Sequence, residues 1–235
     1  MKSLLIGTLV SMLLNTSTTM TNPTPSMPQE TINNTNISQT NRDQDNAFSK
    51  ISESDYQSLF ADTKKSSNPQ AQVYMIEYSD LECPFCKKFH KDEVIERLAQ
   101  HYPITHVVKH FPLSFHAYAQ SSSQFALCVY KFHWLKTYNT ILDKLFEAED
   151  MSSKTQTKLI QDHKLNAKNI QYCIDSNLYA PYIATTMQQA DKLFNISGTP
   201  STVMINMQTK EYTIIEGAWP YETFEEAYLK LTQKS

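Results

Sequence analysis

Residues 73 to 111 leave few ways to fold. Val73 to Tyr78 is a β-branched and aromatic run with one acid, Glu77, set inside it, which is the composition of a buried strand. Shortly after comes Cys83-Pro84-Phe85-Cys86. From Pro84 to about Gln100, the residues Phe85, Phe89, Val94, Ile95 and Leu98 share roughly one helical face. Pro84 suits a first helical turn, where its missing N–H costs nothing. His101-Tyr102-Pro103 ends that helix, and Ile104 to Phe111 is a second strand, closed by Pro112. A strand–helix–strand unit of this kind implies parallel pairing with a right-handed crossover. It places the two thiols where a strand gives way to a helix.

The rest of the ordered chain completes the plan. Ser52 to Ala61 reads as a short helix with Ser52 at its cap. From about Ser114 to Phe194 the pattern is helical with no strand signal. It divides at His133-Trp134-Leu135-Lys136, at residues 149–156, near Leu165-Asn166 and near Pro181, with Ser152 as one cap. Thr202 to Met207 and Glu211 to Glu216 form a hairpin, and an amphipathic helix follows from Tyr221 to about Thr232. The fold class is therefore α/β, a mixed sheet flanked by helices with a large helical insertion at about 113–195.

The N-terminus has a different character. Lys2 precedes an apolar run from Leu4 to Leu14, the outline of a secretory signal and too short to span a bilayer. With no small-residue cleavage motif in view, residues 1–20 are expected to be a signal peptide or an N-terminal anchor. Residues 21–50 are rich in Asn, Thr, Ser and Pro and cannot bury enough apolar surface to offset ordering. They are expected to be a disordered linker before a domain at 51–235. The expected setting is export, periplasmic or otherwise extracytoplasmic. A net charge of −3 offers no basic field, which sets nucleic acid aside as a partner.

Cys83, Cys86, Cys128 and Cys173 make an even set, which in an exported chain favours disulfides. Three readings compete for the close pair. Structural zinc wants four ligands in close sets, but Cys128 and Cys173 stand alone and His106, His110 and His116 lack ligand spacing, so no metal is expected. An inert disulfide across so short a loop stabilises little. Redox chemistry has a physical basis. At a cap position Cys83 faces unpaired backbone N–H groups and the positive end of the helix dipole, which favour a thiolate. Cys86, one turn on and sheltered, is in reach to form the disulfide. The reading expects an exposed attacking sulfur and a buried resolving one. Each unit of pKa depression stabilises the reduced form by ~1.4 kcal/mol, or ~30 mV towards the oxidising side.

The segment from Glu77 to His90 (EYSDLECPFCKKFH) resembles the active-site segment of the DsbA-like thiol–disulfide oxidoreductases, within the thioredoxin superfamily. Lys109 to His116 (KHFPLSFH) and Asn195 to Asn206 (NISGTPSTVMIN) resemble two further segments of those proteins, in the same order. The resemblance spans roughly residues 51–235 and implies a thioredoxin-like fold. It implies that Cys83 is the nucleophile, Cys86 the resolving thiol, and Thr199-Pro200 a cis peptide packed against them. Thr199 and Pro200, with Pro84 and Phe85, would then face substrate, and Gly198 would be the permissive residue before the turn.

An acid at the position of Glu77 assists proton transfer in that family. Buried in a strand, Glu77 is expected to have a raised pKa and to serve Cys86 as a base; the competing reading is a solvated, edge-facing acid. Related proteins can carry a second cysteine pair, so a structural disulfide Cys128–Cys173 is implied, against two separately buried thiols. Tyr130, Phe132, Trp134 and Tyr138 are expected in the core. Phe85 stands where the best-known member has histidine, which implies a milder oxidant, between the ≈ −120 mV of DsbA and the ≈ −270 mV of thioredoxin.

The implied activity is a dithiol oxidase acting as a monomer on exported proteins with free thiols, without a cofactor, and reoxidised by a quinone-coupled membrane partner. The alternatives are a reductase or isomerase on the same fold, or a peptide-binding module without catalysis.

Overall fold

Val73–Ser79 is buried along its whole length, as a strand must be when both neighbours and both faces are covered. In the computed structural model, which describes residues 48–60 and 68–233, this strand (β2) is next to the edge of a five-stranded sheet. The sheet also contains β1 (Ser49–Lys50), β3 (Ile104–His110), β4 (Ser201–Asn206) and β5 (Glu211–Glu216), in the order β1-β5-β4-β2-β3. β2 and β3 are parallel; β4 runs antiparallel to β2 and to β5. The fold is the mixed, helix-flanked α/β sheet expected.

Side chains on β2 alternate between faces. Tyr74, Ile76 and Tyr78 join a core with α1 (Glu53–Phe60) and α8 (Ala180–Phe194). Val73 and Met75 join a core with α3 (Val94–His101) and α9 (Tyr221–Gln233). Glu77 falls on the second face, beneath α2 (Pro84–Lys91). A third core fills the insertion, α4 (Ala119–Phe132), α5 (Leu135–Glu147), α6 (Ser153–Asp162) and α7 (Ala167–Asp175), and extends to Cys83 and Cys86. Cys128 of α4 and Cys173 of α7 are bonded, with both residues fully buried.

Several elements differ from the sequence reading. The single helix expected over 84–100 is two, α2 and α3, separated at Glu93, whose φ of 51° is left-handed. A continuous helix would rotate Val94 about 140° from Phe89; the break lets Phe89, Val94, Ile95 and Leu98 share one core. Ser49–Lys50, assigned to the linker, pair with Glu211 and Tyr212 at the sheet edge. Both side chains are exposed there, so only backbone bonding marks the strand and composition cannot. Trp134 is 87 % exposed at the start of α5, whereas Tyr138 is buried and Tyr130 and Phe132 half-buried. The signal or anchor at 1–20 and most of the linker lie outside the described residues. Among the described residues no helix is long and apolar enough to cross a membrane.

Candidate active site

α2 begins one residue after Cys83, which takes an extended conformation (φ −66°, ψ 123°) at its cap, with Pro84 in the first turn. No side chain caps this helix end, so the first backbone N–H groups are left for the sulfur. The cysteines are the free dithiol. The Cys83 thiol is pulled down to about 5. The largest cause is a hydrogen bond from the Cys86 thiol; burial opposes it, and the Cys86 N–H, the Thr199 hydroxyl and the Phe85 N–H add to it. Cys86 moves the opposite way, strongly raised by burial and then by donating a hydrogen bond to the Cys83 sulfur. One thiolate is therefore shared unequally by two sulfurs, with the charge on Cys83.

Cys83 is 4 % exposed and Cys86 fully buried. The expectation of an exposed attacking sulfur needs correction: both are enclosed, and Phe85, 63 % exposed, stands outside them. The asymmetry lies in electrostatics more than in access.

Thr199–Pro200 is a cis peptide. The Thr199 carbonyl lies 3.5 Å from Cys83 Sγ, in place to accept from the thiol whenever Cys83 is protonated. Pro200 is tied down from behind, its carbonyl accepting from Gly217 N at 2.7 Å. Gly198 has open space where a Cβ would stand, and Gly217, at φ 99°, is the described glycine in the left-handed region. The conformational demand expected of Gly198 thus falls on Gly217.

Asp80 links the remaining pieces, and nothing in its sequence context singled it out. Fully buried, it accepts at Oδ1 from Glu82 N (2.7 Å), and at Oδ2 from Leu113 N (2.7 Å) and His116 Nδ1 (2.9 Å). Its own N–H donates to Cys86 Sγ at 3.5 Å. One carboxylate therefore fastens the segment after β3 to the loop that carries the thiols.

Glu77 is fully buried, as a strand acid on an inner face should be, but it is not alone. Its Oε1 lies 3.2 Å from His90 Nε2 on α2 and its Oε2 lies 3.0 Å from His106 Nε2 on β3. Burial by itself would raise this carboxyl. The charge of His90 and hydrogen bonds from His106 and His90 outweigh burial and hold the carboxyl well below the ordinary range. The expected raised pKa is therefore overturned: two imidazoles compensate the desolvation. For His90, burial works downward, but Glu77, then Glu96 and Asp143, hold it above its usual value. His110 is the opposite case, pushed down to about 4 by burial despite Glu77 and Asp80. The β2–β3 register pairs Met75 with His106 and Glu77 with Val108. Alternation along parallel strands thus places His106 on the face of Glu77, a relationship set by the strand register.

A family model described as "Thioredoxin" matches residues 65–227. Compared by sequence with curated proteins, the chain has no match. Among solved structures, it is similar to Pseudomonas aeruginosa DsbA2 at 22 % identity and a TM-score of 0.61, covering 72 % of this chain and 94 % of that one. It is also similar to a thioredoxin-like oxidoreductase from Silicibacter pomeroyi (20 %, TM-score 0.63, 76 % and 98 % covered). Wolbachia pipientis alpha-DsbA1 is comparable (19 %, TM-score 0.61, 72 % and 89 %). Three segments in order, the helical insertion between β3 and β4, and the family match agree: the chain belongs to the thioredoxin family, and its architecture is DsbA-like.

Proposed function

We propose that the protein is an extracytoplasmic thiol–disulfide oxidoreductase, a dithiol oxidase that passes its Cys83–Cys86 disulfide to exported proteins. The observation that carries this reading is the placement of Cys83 at the uncapped start of α2, 3.5 Å from the carbonyl of the cis Thr199–Pro200 peptide, with Cys86 fully buried one turn on. A sulfur that is stable as a thiolate is a good leaving group and a poor keeper of a disulfide, so the pair favours its reduced form.

In the forward reaction a substrate thiolate attacks Cys83 Sγ. A substrate–Cys83 bond forms, the Cys83–Cys86 bond breaks, and Cys86 leaves with the electron pair and takes a proton. A second substrate thiolate then attacks the substrate sulfur of the mixed disulfide, and Cys83 departs as thiolate. The substrate loses two electrons and the cysteine pair gains them. The helix-end N–H groups and the Thr199 hydroxyl hold the charge on the departing Cys83, while the Thr199 backbone, Pro200, Pro84 and Phe85 offer the surface on which an extended chain would lie. Glu77 serves as the acid–base neighbour of Cys86, on which its charge acts. The reduced pair would be reoxidised by a quinone-coupled membrane partner, and the protein would act as a monomer.

Phe85 brings neither charge nor a strong donor to the pair, so the potential should lie between those of DsbA and thioredoxin. The test is oxidative refolding of a reduced protein, and insulin reduction, by the wild type and Cys83→Ser. Loss of both activities in the variant is expected; equal turnover would leave only a binding module. Activity in insulin reduction alone would favour a reductase.

A further inference from the structure

Cys86 must gain a proton when it leaves the disulfide and lose one when it attacks, yet it is fully buried. So is Glu77, whose charge acts on it. Among the described residues the polar partners of that carboxylate are two histidines, and they are held differently. His90, its side chain 13 % exposed, stacks on Phe146 with ring centroids 3.6 Å apart and planes at 18°, between Glu77, Glu96 and Asp143. His106, on the open edge strand β3, is 21 % exposed and has the shorter contact, 3.0 Å to Glu77 Oε2. Its ring lines a cavity of about 350 Å³ between β3 and the insertion, bordered also by His90, Glu96, Asp143, Tyr138 and Tyr182.

We propose that His106 is a positioning residue that exchanges protons between the water of this cavity and Glu77, and through Glu77 serves Cys86. His90, 3.2 Å from the other Glu77 oxygen and stacked on Phe146, keeps the carboxylate paired while the proton moves. The inference rests on the redox reading given above. When a reductant's sulfur bonds to Cys83, the Cys83–Cys86 bond breaks and its electron pair stays on Cys86. The proton that sulfur needs passes from His106 Nε2 to the Glu77 carboxylate, 3.0 Å away, and on to Cys86, and His106 takes its replacement from cavity water. One solvent proton is consumed per disulfide opened, and the path runs backwards when Cys86 attacks. The need is physical: a thiol with a strongly raised pKa is a slow leaving group unless it is protonated as it departs, and general acid assistance of this kind is worth ~10²-fold or more.

The test is the rate at which dithiothreitol opens the Cys83–Cys86 disulfide of the full chain, for wild type, His106→Ala and His106→Gln, with increasing imidazole. Removing the ring opens space continuous with the cavity, so His106→Ala is expected to slow by at least ~10-fold and to recover saturably with imidazole, while the wild type does not respond. His106→Gln keeps a donor for Glu77 but cannot relay a proton; it is expected to be slow and unrescued, and it carries the test should the alanine variant not fold. A His106→Gln rate equal to wild type, or a slowed alanine variant indifferent to imidazole, overturns the proposal alone. A wild type whose disulfide neither forms nor exchanges overturns the redox reading and this inference with it.

Discussion

The sulfur of Cys83 lies 3.5 Å from the carbonyl oxygen of Thr199, a residue 116 positions away in the chain. The same residue's hydroxyl is buried with no hydrogen-bond partner, free to turn to that sulfur, and is among the groups that lower the Cys83 thiol. Thr199→Val keeps the shape and removes the donor. We expect the Cys83 pKa to rise by ~1 unit, the worth of one hydrogen bond to a charged group, read from thiolate absorbance against pH.

Glu77 and His90 make a pair whose contribution depends on pH in both directions. The Glu77 carboxyl is lowered from 4.5, so its contribution is in full force above that value and is lost as the pH falls through the folded pKa. His90 is raised from 6.5, so its contribution is complete below that value and is lost as the pH climbs through the folded pKa. The difference in unfolding free energy between wild type and Glu77→Gln, both held as the Cys83–Cys86 disulfide, should peak between these two ordinary values, 4.5 and 6.5. At its maximum it should amount to ~3 kcal/mol, as for other broken buried pairs. A pH-independent difference would contradict the pairing.

Asp80 receives three donors, two from the segment after β3. Asp80→Ala strands the N–H of Leu113 and the imidazole of His116, at ~1–3 kcal/mol for each group left without a partner. Chemical denaturation should show the loss. Amide hydrogen exchange should rise first at Leu113, since that N–H donates to the deleted oxygen.

The Cys128–Cys173 bond closes a loop with a sequence separation of 45. Replacing both by alanine should lower unfolding free energy by ~3–4 kcal/mol on the chain-entropy estimate, measured by denaturant titration. Under mild reductant the Cys83–Cys86 bond should open first, because the insertion bridge has no exposure at all. Labelling of Cys128 or Cys173 before Cys83 would contradict this.

The parts of the fold that were legible in the sequence are those written in local periodicity. The strands, read as Val73 to Tyr78 and Ile104 to Phe111 and found at Val73–Ser79 and Ile104–His110, the hairpin and the start of a helix after Cys83 follow from residue type and spacing. The break at Glu93 was not legible, because the left-handed residue there is neither Gly nor Asn and no proline marks it. Trp134 was misplaced because an aromatic in an apolar neighbourhood carries no record of which way its helix turns. At the site, Cys83, Cys86 and Glu77 stood out by residue type, but the partners that set their chemistry come from elsewhere. His90 and His106 lie 13 and 29 positions from Glu77, and His116 lies 36 from Asp80. The expected rise in the Glu77 pKa failed for that reason: burial was legible, compensation was not.

The central claim is that the protein holds Cys83 as a thiolate while Cys86 keeps its proton. Titration of the reduced protein by thiolate absorbance, with the Cys128–Cys173 bond intact, tests it directly. The account predicts one thiolate appearing with a midpoint near 5 and no second one until strongly alkaline pH. Two thiols titrating together near the ordinary value of 9.0 would contradict it.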